Sequence, residues 1–62
     1  MDDYRLIKTA FEGIKSAEVK EDRDVECNPI LRVKIGNVKM TFYFEVDEYK
    51  DEAYFSGLIV EE

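Results

Sequence analysis

Between Ile30 and Val46 apolar residues occupy every second position on both sides of a two-residue break, and this pattern restricts the fold more than any other feature of the chain. Leu31, Val33 and Ile35 alternate with Arg32 and Lys34. After Gly36-Asn37, the residues Val38, Met40, Phe42, Phe44 and Val46 alternate with Lys39, Thr41, Tyr43 and Glu45. A period of two is that of a strand with one buried face. If Gly36 and Asn37 form a two-residue turn, Ile35 faces Val38, Val33 faces Met40 and Leu31 faces Phe42, so every apolar pair falls on the same side of the hairpin. A slip of one residue would mate core positions with wet ones, so pattern and turn specify the same register.

Ahead of the hairpin the periodicity changes. Asp2 and Asp3 are residues that cap a helix start, and Ile7, Ala10, Phe11 and Ile14 follow at helical spacing, with Leu6 widening the stripe. Arg5, Lys8, Glu12 and Lys15 take the wetter side. The spacing predicts a helix over residues 3 to about 15, which Gly13 ends early if it acts as the terminal glycine.

After a polar loop from Asp47 to Glu52, a further strand is expected from Ala53 to Val60. Its two faces, Ala53-Phe55-Gly57-Ile59 and Tyr54-Ser56-Leu58-Val60, are both largely apolar, so one of them is expected to be partly exposed or covered by a partner. Gly57 there marks a bulge or a close backbone approach. Residues 17–28 read as a second, more polar hairpin, in which Ala17 and Val19, then Val25 and Cys27, alternate about the cluster Glu21 to Asp24. A long strand interrupted at Pro29 fits the same residues, and proline belongs at an edge or a strand start. The expected architecture is therefore α+β: one N-terminal helix packed on one face of a three- or four-stranded antiparallel sheet, an α-β-β-β-β meander forming a single domain over residues 1–62. Such a two-layer arrangement leaves the second sheet face open.

Sixty-two residues can bury only a small core. Dimerisation would add stability that a chain of this size has difficulty finding internally. The chain has no histidine, one cysteine (Cys27) without a basic neighbour and two serines, so neither an activated nucleophile nor a zinc site can be built from the usual parts. Its three glycines are isolated, which leaves no phosphate-cradling loop. Asp47, Glu48, Asp51 and Glu52 lack the spacing of an EF-hand loop. The expectation is a protein that is not an enzyme and carries no cofactor and no metal.

Charge is the more informative property. Nine Lys and Arg against fifteen Asp and Glu leave a net charge of −6, which disfavours phosphate backbones as partners and favours a basic protein surface. The charge is also segregated: residues 30–44 carry three bases and no acid, whereas residues 17–28 carry five acids with two bases and residues 45–52 five acids with one base. The hairpin register brings the two acidic segments together at the end opposite Gly36-Asn37. The expected partner-binding residues are Glu26, Asp47, Glu48, Asp51 and Glu52, with Tyr49 as an aromatic anchor. A second candidate surface is the open sheet face, around Arg32, Lys39, Tyr43, Tyr54 and Leu58: Tyr43, Tyr54 and Leu58 as a homodimer contact, or Arg32, Lys34, Lys39 and Tyr43, cations beside an aromatic, as a platform for single-stranded nucleic acid. Size and charge are shared with small acidic inhibitors of nucleic-acid-binding enzymes, phage-encoded ones among them, but no motif carries that likeness. With no apolar leader and no membrane-length apolar run, the expected compartment is the cytoplasm.

Overall fold

In the computed structural model, which describes residues 2–62, the chain starts a helix at once because Asp2 supplies what the first turn lacks. Its Oδ1 accepts the Arg5 N–H at 2.9 Å, satisfying one of the amide donors left free at a helix N-terminus. Helix α1 runs Asp3–Glu12 and stops at Gly13, whose N–H donates to the Thr9 carbonyl. Ile14 therefore lies beyond the helix and is exposed.

Four antiparallel strands follow in sequence order across one sheet: β1 (Ala17–Arg23), β2 (Pro29–Ile35), β3 (Val38–Asp47) and β4 (Glu52–Glu61). The α+β meander expected from the pattern is the fold. The central hairpin pairs Ile35 with Val38, Val33 with Met40 and Leu31 with Phe42, as alternation and turn length require. Gly36 has φ of +59°, and Asn37 is not among the positive-φ residues, the pattern of a type II′ turn. A Cβ on Gly36 would meet nothing within 4 Å, so substituting it costs backbone strain alone. Gly36→Ala is expected to cost about 1–2 kcal/mol. In a domain of this size that lowers Tm by roughly 4–8 °C per kcal/mol, readable by thermal melting.

Two expectations need correction. Residues 17–28 form neither a hairpin about Glu21–Asp24 nor one long strand; β1 continues through that charged cluster to Arg23 and pairs along its length with β2. The reversal comes later, at 24–28, so Val25 and Cys27 sit in a turn, and Pro29 opens β2 where its missing N–H is tolerated. In β4, the ladder shifts register: Tyr43 faces Gly57 but Phe44 faces Phe55, leaving Ser56 as the extra residue of a bulge. The bulge beside Gly57 exchanges the faces of everything after it. Leu58, paired with Phe42, and Val60, paired with Met40, lie on the helix side of the sheet, while Ile59 joins Tyr43 and Tyr54 on the open side.

The core lies between α1 and the sheet. Leu31, Val33, Phe42, Phe44 and Ala53 are buried together, with Tyr4, Ile7 and Phe11 pressed on them from the helix. Tyr4 meets Phe44 edge-on with ring centroids 5.1 Å apart, and Phe11 lies 5.4 Å from Phe42. No helix is long and apolar enough to cross a membrane among the described residues.

Candidate interaction site at the acidic end

An antiparallel meander places alternate turns at the same end, so the β1–β2 turn (24–28), the β3–β4 turn (48–51) and the start of α1 share one end of the molecule. Both turns are built around an aspartate. The Asp24 carbonyl accepts the Cys27 N–H, and its carboxylate accepts the N–H groups of Glu26 and Asn28 at 2.9 and 2.8 Å. The Asp47 carbonyl accepts the Lys50 N–H, and its carboxylate the Tyr49 N–H at 3.0 Å. Aspartate suits this position because its short side chain reaches its own backbone two residues on. Each turn then needs one left-handed residue, Cys27 (φ 66°) in the first and Asp51 (φ 52°) in the second.

Ordering the turns this way projects one apolar side chain from each tip. Val25 and Tyr49 are both fully exposed, at 101% of their reference areas. Val25 is flanked by Asp24 and Glu26, and Tyr49 follows Glu48 and lies two residues before Asp51. The exposure of Tyr49 was legible from its place in the polar loop between the strands. That of Val25 was not, since the alternation around it read as a strand; the signal for a turn was the Asp24…Asn28-Pro29 spacing.

Of the fifteen acids, Glu12, Glu18, Glu61 and Glu62 lie toward the Gly36-Asn37 end and the rest toward this one. They divide by employment. Glu21 accepts from the Tyr4 hydroxyl and pairs with Lys8 at 2.9 Å, which together hold its carboxyl below the usual range. Burial, then the bond to Glu21, pushes the Tyr4 hydroxyl well above its ordinary pKa. Asp22 is lowered by the Arg23 N–H and then by Arg32. Glu45 accepts from the Tyr54 hydroxyl at 3.0 Å, raising that tyrosine's pKa. By contrast Glu26, Glu48, Asp51 and Glu52 accept no side-chain hydrogen bond or ion pair among the described residues. These four were singled out from the sequence, and they share one end of the fold. Asp47 differs: its carboxylate holds its own turn.

Between the two turns lies a groove of about 630 Å³ bounded by Asp2, Tyr4, Glu21, Arg23, Val46 and Asp51. It exists because β3 and β4 extend beyond the point where β2 begins at Pro29. Asp2, Glu21, Asp22 and Asp51 line it with carboxylates, and Arg23, which donates to the Cys27 carbonyl at 3.0 Å, is the cation beside them. Among the described residues no three carboxylates or cysteines are grouped so as to hold a metal ion.

No family model, curated protein or solved structure matches this chain.

The open sheet face carries charge of both signs, with Lys20, Arg32, Lys34 and Lys39 set among Glu18, Asp22, Glu45 and Glu61. Register puts Lys20 beside Arg32 and Lys34 beside Lys39, with Tyr43 and Tyr54 toward the acidic end. Thr41 and Ile30 on this face are buried under the long side chains around them. Arg32, Lys39, Tyr43 and Tyr54 therefore share the surface expected of them, and Leu58 does not, because the bulge at Ser56 turns it to the helix side.

Proposed function

We propose that this chain is a non-enzymatic interaction module that binds a basic protein surface, of the kind that otherwise holds nucleic acid, through its acidic end. The observation that carries this reading is the pair of ordered turn tips, each presenting a fully exposed apolar side chain among carboxylates, four of which have no side-chain partner among the described residues. A carboxylate without an internal partner breaks no contact of the fold when it pairs across an interface, so only its hydration and side-chain freedom oppose the pairing. An exposed tyrosine supplies contact area at a small entropic cost. Segregated charge also steers a basic partner to this end before contact.

The test leaves the turns intact. Glu26→Lys, Glu48→Lys and Glu52→Lys combined with Asp51→Asn spare Asp24 and Asp47, and asparagine tolerates the left-handed backbone at position 51. A partner captured from nuclease-treated host lysate should bind this variant at least a hundredfold more weakly, and Tyr49→Ala about tenfold more weakly. Its association rate with the unaltered chain should fall steeply as salt rises. A captured partner that binds the variant as well as the parent would remove the acidic end from the interaction.

A second reading, a single-strand nucleic-acid platform, rests on the Lys20–Arg32 and Lys34–Lys39 neighbours and Tyr43. Titration with an oligonucleotide at low salt that shifts no open-face resonance would exclude it.

A further inference from the structure

We infer that a second copy of this chain pairs with the C-terminal half of β4, edge to edge and antiparallel, extending the sheet across a two-fold axis at Ile59. The inference is independent of the acidic-end reading. A four-stranded open sheet has two edges whose backbone groups want partners. The β1 edge is guarded by charge, with Glu18, Lys20, Glu21, Asp22 and Arg23 in a seven-residue strand. Half of the β4 edge is also closed: the outward N–H of Ala53 donates to Asp2 Oδ2 at 3.1 Å, and that of Phe55 to Asp3 Oδ2 at 2.9 Å.

Beyond the bulge the edge is open. Ile35 and Val38 close a two-residue turn, so that pair is hydrogen-bonded and the alternate residues Lys39, Thr41 and Tyr43 bond outward to Glu61, Ile59 and Gly57. Leu58 and Val60 therefore direct their N–H and C=O groups away from β3, and no side chain among the described residues caps them. Apolar side chains surround this stretch on both faces. Leu58 and Val60 on the helix side and Ile59 on the other are each about half exposed, as is Phe55 on the same strand.

Area and charge favour a second copy as the occupant. The chain exposes 4842 Å² at a mass of 7.3 kDa. A folded monomer of that mass is expected to expose about 4,200 Å², and the excess is close to the roughly 800 Å² that one partner contributes to a standard interface. With the axis at Ile59, Leu58 of one copy pairs with Val60 of the other through the open backbone groups, and Ile59 meets Ile59. Glu61 then falls opposite Gly57 and Glu62 opposite Ser56, so no acid faces an acid. Antiparallel pairing also sends the two acidic ends in opposite directions, about 60 Å apart at the rise of a strand, far beyond the screening length at physiological salt.

Light scattering and sedimentation equilibrium of the full chain under reductant, from low-micromolar to submillimolar, should show a monomer–dimer equilibrium. The Leu58 and Val60 amides should become protected from hydrogen exchange as the dimer forms. Val60→Pro removes an outward N–H without touching the β3 ladder, and Ile59→Lys places two cations on the axis; each should weaken association at least tenfold, while Val25→Lys leaves it unchanged. If Val60→Pro does not fold by circular dichroism, Ile59→Lys decides alone. A chain that stays monomeric throughout, including one whose edge takes a strand from another protein instead, overturns the inference. So does a dimer that survives Ile59→Lys.

Discussion

Replacing Phe44 with alanine is expected to remove about half or more of the domain's folding stability at 25 °C. Phe44 is 2% exposed in a core of few fully buried side chains, with Tyr4 edge-on at 5.1 Å and Phe55 at 6.4 Å. Truncating a buried phenylalanine costs about 3–5 kcal/mol, because transfer energy and aromatic contacts are lost and a cavity remains. A domain of this length has roughly 3–9 kcal/mol in total. Its removal should also loosen Tyr4, and with it the helix–β1 contact through Glu21. Phe55→Ala, at a half-exposed position, should cost far less. Urea titrations of the two variants measure the contrast; similar midpoints would show that the core is centred elsewhere.

The parts of the fold that could be read in advance are those where local pattern and turn chemistry coincide. In the β2–β3 hairpin, alternation on both strands and the Gly36-Asn37 turn each imply the same register. The strand β1 was misread because its charged residues are strand residues for a non-local reason. Glu21 pairs across to Leu31, on the core side, yet it is satisfied from above by Tyr4 and Lys8 of the helix. No window of sequence around Glu21 contains those partners. In β4 the difficulty was different. Apolar residues on both faces make the pattern after the bulge indistinguishable from the pattern without it, so Leu58 and Ile59 exchanged sides unseen. The clustering of Glu26 with Glu48, Asp51 and Glu52 was legible because it depends only on which turns share an end. The exposure of Val25 depends on the exact span of a turn, which alternation alone cannot supply.

The other large effect is expected at Asp2, a single half-buried side chain that joins two elements of the fold. Its Oδ1 caps the helix at the Arg5 N–H, and its Oδ2 closes the sheet edge at the Ala53 N–H. Asp2→Ala removes both. Loss of the cap costs about 1 kcal/mol, with a range of roughly 0.5–2. Loss of the edge bond, at a part-buried amide, adds about 1 kcal/mol or somewhat more. Asp2→Asn separates them, since an amide has one accepting oxygen and its NH₂ cannot accept from Ala53, so it should keep the cap and cost about half as much. The pH dependence gives a second readout. The Arg5 N–H, then the Ala53 N–H, holds the Asp2 carboxyl below its ordinary value of 3.8. A carboxylate whose pKa is depressed by folding contributes stability that is fully present above the unfolded value and is lost as pH falls through the lower folded one. Glu21 and Asp22 are depressed as well and titrate in the same direction. Melting temperature should therefore hold steady down to about pH 5 and fall progressively below about pH 4. In Asp2→Asn the starting point is lower and the acid-side slope is shallower, because one of the linked protons is gone. An unchanged slope in that variant would mean that Asp2 does not bind the helix and the sheet edge together through its charge.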